Sequence, residues 1–396
     1  MVDEFPKEQC CGCGACLSAC PVGCICMVED GWGFLFPQID HNRCIKCDRC
    51  ADICPFVHAE HLRQRNEAPE FYALVHRSED VLEKSSSGGA LTTIIQAIET
   101  DEGKRPVVYG AAWDGVTKVR HIRVCDEVTT GFIRKSKYIQ SKTDAIWKSV
   151  AEDLSKDYRT VFTGTPCQVA AALSLFPNED NLVTVEVVCH GVAAPKAWLS
   201  YIRWQKDKRG EVSNVDFRFK KNGASYDSLL LEFGNGSSYK RPAHAYDDPF
   251  VEAYLRRLNC RDSCDICPFA GIPRVADFTI GDYWGAEKDG GCCCSSGHGV
   301  SLVMLNSLTA RQYFDKMSKV AHISIADSAI ATSNNGTLVS HGNRNRLKDD
   351  YMRTCLEDGF EVARKNYSQP RPLYKRIATR FFSGNAKAFI KKLLLK

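Results

Sequence analysis

The feature that most constrains this chain is a cysteine pattern that occurs twice near the N-terminus. Each copy has three cysteines two residues apart, a fourth cysteine after three more residues, and a proline: Cys10, Cys13, Cys16, Cys20 and Pro21, then Cys44, Cys47, Cys50, Cys54 and Pro55. Three thiolates at this spacing bind one [4Fe-4S] cube, while the fourth cysteine belongs to the neighbouring cube. The pattern therefore predicts two clusters, the first held by Cys10, Cys13, Cys16 and Cys54 and the second by Cys44, Cys47, Cys50 and Cys20.

Zinc binding is the alternative interpretation of these cysteines. Zinc ribbons, however, use paired C-x2-C units rather than a four-cysteine run that ends in Cys-Pro. Cys11, Cys24 and Cys26 lie outside the spacing and are expected to be buried or spare thiols. The chain has 21 cysteines in 396 residues, and this number in a chain with no predicted leader indicates metal binding or redox chemistry rather than disulfides.

The remaining composition is that of an ordinary globular protein, with 44% hydrophobic and 25% charged residues. No apolar stretch reaches the roughly 18 residues of a membrane-spanning helix. The N-terminus has neither the basic nor the apolar segment of a signal peptide, so a cytoplasmic location is predicted. The net charge of +4 comes from the C-terminus, because ten Lys or Arg residues and no acid follow Glu361 and leave −6 for the rest.

The basic C-terminal tail, residues 376–396, allows two interpretations. It fits an amphipathic segment that makes peripheral contact with an anionic membrane. It also fits a surface helix that docks on a partner or on the protein itself, which is the preferred interpretation. No nucleic-acid partner is expected, because the basic charge is confined to one end and no recognition motif accompanies it.

Beyond the first cysteines, the sequence alternates apolar strands with helices. Strands are predicted at 106–113, 160–164, 182–188 and 300–306, helices at 90–100, 166–176 and 195–207, and an antiparallel pair at 215–220 and 228–233. This order predicts an α/β (α+β) domain with a mixed sheet covered on both faces. The predicted regions are a small two-[4Fe-4S] ferredoxin-like domain at 1–60, a linker at 61–69, a large domain in two parts at 70–180 and 181–308, and a helical region with a basic tail at 309–396.

A further group of cysteines belongs to the large domain. Two predicted strands end just before Cys167 and Cys189, and ligands bind at the carboxyl ends of strands in open α/β sheets. Cys260, Cys264 and Cys267 have a spacing that can hold three irons of a third cube. Cys189 is the preferred fourth ligand and Cys167 the alternative, while zinc is the alternative metal.

Two turns of the large domain are candidate anion sites. KSSSGGAL (84–91) precedes a predicted helix, whose N-terminus favours a phosphate. RKSKYIQSK (134–142) brings Arg134, Lys135 and Lys137 together with hydroxyl groups. Each turn by itself also fits an ordinary solvated loop.

Taken in order, these motifs resemble the coenzyme F-420 hydrogenase/dehydrogenase beta subunit family. The resemblance is greatest to its bacterial branch, in which a two-cluster ferredoxin module precedes a flavoprotein domain. It covers roughly residues 5–58 and 70–308. The motifs that carry it are SSSGGAL, VVYGAAW, SKYIQS, FTGTPCQVAA, VVCHG, FRFKKNG, CRDSCDICPFA, ADFTIGDYWG and GVSLVMLN.

The resemblance implies FAD and one [4Fe-4S] cluster in the large domain, in addition to the two N-terminal clusters. The residues that match the family's FAD contacts are Ser86, Ser87, Gly88, Gly89, Ser136, Lys137, Tyr138, Ser141, Thr163, Gly164, Thr165 and Pro166. The residues that match its cluster ligands are Cys189, Cys260, Cys264 and Cys267. Cys292, Cys293 and Cys294 depart from the family pattern and are interpreted as an unusual, redox-reactive loop.

The predicted function is that of an iron–sulfur flavoprotein oxidoreductase. Single electrons pass between a partner such as ferredoxin, the clusters and FAD, and FAD exchanges a hydride with an organic substrate, either coenzyme F-420 or a substitute. The alternatives are a ferredoxin-dependent reductase of a small organic or carbohydrate-linked metabolite and a pure electron-transfer subunit. No catalytic dyad is expected; His190 is a candidate proton carrier, although a structural hydrogen bond is preferred for it.

Overall fold

The computed structural model describes residues 1–64, 66, 68–99, 103–220, 229–241, 245–292 and 297–369. Its strands are β1 Ile25–Glu29, β2 Leu35–Ile39, β3 Glu70–His76, β4 Val107–Asp114, β5 Lys118–Val124, β6 Ser141–Lys142, β7 Thr160–Gly164, β8 Leu182–Val187, β9 Val212–Asp216, β10 Leu229–Phe233, β11 Ser238–Arg241, β12 Phe278–Asp282, β13 Ser301–Leu305 and β14 Ala321–Ile325. Its α-helices are α1 Ala15–Ala19, α2 Arg49–Asp52, α3 Ala59–Gln64, α4 Glu79–Glu83, α5 Ala90–Ile98, α6 Glu127–Ile133, α7 Trp147–Ser155, α8 Pro166–Leu175, α9 Pro195–Arg209, α10 Pro249–Leu255, α11 Leu308–Arg311, α12 Phe314–Val320, α13 Ser328–Asn334, α14 Lys348–Glu357 and α15 Phe360–Tyr367.

A mixed sheet organises the large domain, by which we mean the chain from residue 70 onward. The described strands follow the order β14-β3-β13-β12-β8-β7-β4-β5-β6. The central neighbours β12, β8, β7 and β4 are parallel, and β13, β3 and β14 on one side are antiparallel to their neighbours. On the other side, β5 is antiparallel to β4 and parallel to β6. The predicted mixed α/β sheet is confirmed.

Both faces of this sheet are covered, because side chains alternate along each strand. Val108 of β4 and Val161 of β7 pack on one face in a cluster with the apolar residues of α5 and α12. Tyr109 and Phe162 point to the other face and pack against α7 and α8. This double burial accounts for the near-continuous apolar character of the central strands.

The N-terminal region is a small cysteine-rich unit. β1 and β2 form an antiparallel hairpin, and α1 and α2 are single turns that contain Cys16 and Cys50. Its small core combines Val2, Ile25 and Ile39 with cysteines. Helix α3 runs through the first part of the predicted linker, and Arg63 on it donates to the carbonyls of Pro268 and Pro273.

A second subdomain lies around α9. The sheet β11-β10-β9 packs there, and β9 pairs antiparallel with β10 as predicted, although β9 begins three residues before the predicted strand. Helices α14 and α15 pack on α9, so the C-terminal region contributes to this core. The same region also supplies β14 to the mixed sheet. The tail from residue 370 lies outside the described residues.

Among the described helices, none has both the length and the apolar character needed to span a bilayer.

Candidate redox site

A cavity of about 740 Å³ opens at the carboxyl ends of β7, β8 and β12. The predicted FAD contacts that line it are Ser86, Ser87, Gly89, Ser136, Lys137, Tyr138, Ser141, Thr163, Gly164 and Thr165. Gly88 and Pro166, which were also predicted, do not line it. Residues from three separate segments therefore meet at the strand ends, where an open α/β sheet places its ligands.

The serine turn of this cavity has a backbone that only glycine fits at two positions. A Cβ on Gly88 would lie 2.1 Å from the Leu74 carbonyl oxygen, and Gly89 adopts a left-handed φ of +85° as the N-cap of α5. Ser87 Oγ donates to the Val300 carbonyl at 2.9 Å. The turn therefore holds the positive N-terminal end of α5 at the cavity.

Two cations fix the carbonyl groups of the serine turn. Arg218 donates to the Ser86 carbonyl at 3.2 Å and forms a bidentate pair with Asp282. Lys220 donates to the carbonyls of Leu82 and Ser87, each at 2.9 Å. Burial, followed by repulsion from Arg218, lowers the pKa of Lys220 to about 8. Both residues lie in the FRFKKNG motif, but the motif gives no sign of this contact because they are more than 130 positions from the turn that they support.

The opposite side of the cavity is the turn between β7 and α8. The Thr165 backbone N–H and hydroxyl both donate to Gln168 Oε1, and Pro166 occupies the first turn of α8, where its missing N–H costs no hydrogen bond. This capping arrangement fixes the start of α8. Since Thr165 and Gln168 line the cavity, a second helix N-terminus faces the same space.

A buried histidine stabilises this turn. His121 Nδ1 lies 2.8 Å from Ser141 Oγ, and its Nε2 lies 3.0 Å from the Thr163 carbonyl oxygen. The ring stacks on Phe162 with 5.3 Å between centroids. Burial lowers the pKa of His121 to about 4, so the ring is neutral near pH 7 and links two cavity segments by hydrogen bonds. The sequence motifs gave no signal for this residue.

The segment 134–138 carries the cations that were predicted as an anion site. Lys137 Nζ donates to the Arg134 carbonyl at 2.6 Å, and burial lowers the pKa of Lys137 to about 7. Lys135 is paired with Asp216 at 2.5 Å. The Arg134 side chain is only 8% exposed, and its Nε has no hydrogen-bond partner among the described residues. Arg134 and Lys135 also line a second cavity of about 690 Å³.

His190 lines the cavity beside Cys189. Its ring lies edge-on to Tyr254 at 5.1 Å, and its Nε2 is buried without a described partner. Burial, followed by the charge of Arg257, lowers the pKa of His190 to about 4. The ring is therefore neutral near pH 7, and its assignment as a proton carrier stays a prediction.

The third cysteine group, Cys167, Cys189, Cys260, Cys264 and Cys267, borders the cavity at Cys189. Burial, followed by the charges of Cys264, Cys167 and Cys267, raises the pKa of the Cys189 thiol well above its usual value. Burial, followed by the charges of Cys167 and Cys264, raises the pKa of Cys267 to about 12. Cys260 has Cys264 as its nearest charged cysteine, and its Sγ lies 3.6 Å from the Tyr254 carbonyl oxygen. The charge of Cys167 acts on Cys189, Cys264 and Cys267, so Cys167 lies close to all three, although it is outside the C-x3-C-x2-C run.

The first predicted cluster site draws on both cysteine repeats. Burial, followed by the charges of Cys10 and Cys54, raises the pKa of Cys16 to about 12. The pKa of the Cys13 thiol is also raised: a hydrogen bond with Cys11 lowers it, but burial and the charges of Cys16 and Cys54 raise it by more. Cys54 therefore lies with the cysteines of the first repeat, as the crossed ligand assignment requires.

At the second predicted site, a cysteine outside the motif joins the predicted ligands. The Cys24 Sγ lies 3.4 Å from the Cys20 Sγ, and Cys44 is its other thiol neighbour. Cys24 is buried, whereas Cys26 is exposed and contacts the Gln38 carbonyl at 3.8 Å. Within the described residues, no three His, Cys, Asp or Glu side chains form a group that could hold a single metal ion. A [4Fe-4S] cluster does not require three side chains around one metal ion, because each of its four irons binds a different thiolate.

The first cysteine loop, residues 10–16, is held by side chains of the large domain. Arg261 Nε donates to the Cys10 carbonyl at 2.7 Å, and Gln140 Nε2 donates to the Cys11 carbonyl at 3.2 Å. Thr143 and Trp147 both donate to the Cys13 carbonyl at 2.9 Å. Arg261 is 1% exposed, so this attachment is buried.

Cys11 connects the first cysteine loop with the third cysteine group. Its thiol interacts by hydrogen bonding with Cys13 on one side and with Cys167 on the other. Cys167 Sγ is also 3.2 Å from Thr165 Oγ1 at the cavity turn. Contacts therefore run without a break from the N-terminal cysteines to the cavity. Cys292 is partly buried in a separate apolar cluster, and Cys293 and Cys294 lie outside the described residues.

Comparison with known proteins agrees with the sequence motifs. Residues 157–329 match the family described as the C terminus of the beta subunit of coenzyme F420 hydrogenase/dehydrogenase, and residues 37–57 match the 4Fe-4S binding domain. The F420-dependent formate dehydrogenase 1 subunit beta of Methanococcus maripaludis is 24% identical over 235 residues, which are 56% of this chain and 54% of that protein. The match thus spans about half the length of this curated relative.

A solved structure is also similar. It is a chain of the F420-reducing [NiFe] hydrogenase complex from Methanosarcina barkeri, with 16% identity and a TM-score of 0.47 over 70% of this chain and 96% of that one. The sequence matches and the motifs together support the coenzyme F420 hydrogenase/dehydrogenase beta subunit family for residues 157–329, and residues 37–57 match a 4Fe-4S binding domain.

Proposed function

We propose that this protein is an iron–sulfur flavoprotein oxidoreductase with three [4Fe-4S] clusters and one FAD. When bound, the clusters exchange single electrons and the flavin exchanges a hydride with an organic substrate. The observation that carries the proposal is the unbroken contact from Cys13 through Cys11 and Cys167 to the cavity turn at Thr165. A chain that separated its cysteine groups from its cavity would not support this function.

The cysteines fit the proposed clusters in number and in grouping. The first two clusters would be held by the eight cysteines of the repeats, and Cys54 lies among the first-repeat thiols as this requires. The sequence leaves two assignments for the third cluster, in which Cys260, Cys264 and Cys267 are joined either by Cys189 or by Cys167. The charges of Cys264, Cys167 and Cys267 all act on Cys189, which favours a set made of Cys167, Cys189, Cys264 and Cys267, without Cys260.

The cavity fits a large cofactor that carries phosphate groups. The N-termini of α5 and α8 face it from two sides, and oriented backbone N–H groups at such ends bind phosphate. Lys137 and Arg218 add positive charge, while Tyr138, Phe217 and Tyr254 provide an aromatic wall with ring centroids about 5 Å apart. We assign the serine turn and the β7–α8 turn to phosphate binding and the aromatic wall to the ring system.

The substrate would enter through the second cavity of about 690 Å³, which shares Arg134 and Lys135 with the first. Coenzyme F-420 is the leading candidate, because the curated relative is named as an F420-dependent enzyme. A different small organic metabolite would fit the same cavity. The name of this relative, the beta subunit of a formate dehydrogenase, also supports a partner protein.

The test is anaerobic purification followed by absorbance spectroscopy with coenzyme F-420 and with reduced ferredoxin. The proposal expects a brown protein whose spectrum bleaches with ferredoxin, and an extractable yellow flavin. Loss of the 420 nm band of the deazaflavin under reducing conditions would identify it as the substrate, and its persistence would assign a different metabolite. A preparation that contained clusters but bound no flavin would instead identify a pure electron-transfer subunit.

A further inference from the structure

The two cysteine loops, which are repeats in sequence, have opposite surroundings. In the first cysteine loop, the backbone carbonyls of Cys10, Cys11 and Cys13 accept hydrogen bonds from buried side chains of the large domain. In the second cysteine loop, residues 44–50, all positions between Cys44 and Cys50 are exposed. One repeat thus serves as the inner attachment and the other faces solvent.

Equivalent positions in the two loops share a backbone conformation but not a residue type. Gly12 and Lys46 have φ values of +69° and +53°, and Gly14 and Asp48 have +72° and +57°. Such left-handed conformations favour glycine because a Cβ is crowded there. In the first loop glycine is also required by packing, since a Cβ on Gly12 would lie 2.5 Å from Gln140 Nε2.

The second cysteine loop carries charged side chains at these same disfavoured positions, and both side chains are exposed to solvent. The same loop carries Ile45, which is 60% exposed, and the exposed cations Arg43, Lys46 and Arg49 lie within four residues of it in the sequence. None of these three cations forms an ion pair with a described residue, whereas the nearby Asp48 lies 3.6 Å from the N-terminal ammonium. We call residues 43–49 the outer basic surface.

We propose that the outer basic surface is the docking site of an acidic single-electron carrier protein, an inference that rests on the proposed function. A loop that exposes an apolar residue together with cations that have no ion-pair partner among the described residues fits a small, transient protein interface that charge complementarity orients. The positive charge of this surface contrasts with the chain up to Glu361 as a whole, which carries a net charge of −6. The surface includes Cys44 and Cys47, two of the predicted ligands of the second cluster, so a carrier bound there would be close to that cluster.

The transfer is balanced as a one-electron exchange. The reduced carrier loses one electron, the second cluster gains it, and no bond or proton is exchanged at this surface. Transfer in the other direction moves one electron from the cluster to the oxidised carrier. Two such events supply the electron pair that a hydride requires.

The test measures the reduction of the holoprotein by stopped-flow absorbance under anaerobic conditions. The variant is Lys46→Glu with Arg49→Glu; Arg43 is left intact because it donates to the Val22 carbonyl at 2.9 Å. A reduced acidic ferredoxin is the protein probe, and the methyl viologen radical is the small-molecule probe. Lys118→Glu with Arg203→Glu is the matched control, since both residues are exposed cations of the large domain.

We expect the second-order rate constant with ferredoxin to fall about tenfold or more at low ionic strength and to lose most of its salt dependence. The rate with methyl viologen should change less than about threefold, and the control should match the wild type. Iron content and the EPR spectrum establish that the variant retains its clusters. A variant that reacts with ferredoxin at the wild-type rate, or a control with the same loss, overturns the docking inference alone. If methyl viologen reduces no cluster in the wild type, the proposed function fails and the inference fails with it.

Discussion

Gly12→Ala is the sharpest test of how the N-terminal unit is attached to the large domain. The added Cβ would lie 2.5 Å from Gln140 Nε2, 2.8 Å from the Leu35 carbonyl oxygen and 3.0 Å from Arg261 Nη1. The Leu35 oxygen belongs to the backbone of β2, and the other two groups are themselves hydrogen-bonded to the first cysteine loop or to each other. None of them can move without breaking the attachment.

The expected cost has two parts. A left-handed conformation costs an alanine about 1–2 kcal/mol. Overpacking in a well-filled interior adds about 1–3 kcal/mol. The free energy of unfolding should therefore fall by about 2–5 kcal/mol, which corresponds to a melting temperature about 2–6 °C lower for a chain of this length.

Lys46→Ala is the matched control, because Lys46 has the same backbone conformation with φ +53° in the second repeat but is exposed. Its free energy of unfolding should change by about 0.5 kcal/mol or less. Anaerobic thermal unfolding of the cluster-loaded proteins gives the comparison. Limited proteolysis near residues 65–69 should also release the N-terminal unit faster from Gly12→Ala. Equal melting temperatures for the two variants would refute the attachment as we describe it.

Further predictions concern the third cluster, the cavity and the interdomain contact. Cys167→Ser should lower the iron content by about four per chain and Cys260→Ser should not, because Cys167 lies among the other thiols of the third group; the opposite pattern would make Cys260, and not Cys167, a ligand of the third cluster. Flavin affinity should fall as the pH rises through about 7, since Lys137 loses its charge there, and calorimetry on Lys137→Met should give weak, pH-independent binding; an unchanged pH profile would contradict this. Arg261→Met should slow electron transfer from the N-terminal clusters to the flavin while leaving the iron content intact, and a wild-type rate in a rapid-mixing experiment would contradict the role of Arg261.

Local signals in the sequence were sufficient for the central strands and for most of the cavity. The apolar runs at 160–164 and 182–188 became β7 and β8, and the helix predicted at 166–176 became α8. These features depend on neighbouring residues, and their physical causes are visible in a short window. The turns at 84–91 and 134–142, which line the cavity, were also predictable from their local sequence.

Long-range pairings were not predictable in this way. β14 pairs with β3 although about 250 residues separate them, and its half-exposed pattern resembles that of a surface segment. Arg261 and Gln140 attach the first cysteine loop from two distant segments, and the motifs that contain them, CRDSCDICPFA and SKYIQS, give no sign of this contact. Spacing likewise identified the cysteines as ligands but could not tell which loop faces the large domain, or that Cys167 lies with Cys189 and Cys267.

The most direct test of the central claim is the cofactor content of anaerobically purified protein. We predict about twelve irons and about twelve acid-labile sulfides per chain, four of each per cluster, together with one extractable FAD. Protein that contained zinc in place of iron and released no flavin would contradict the account.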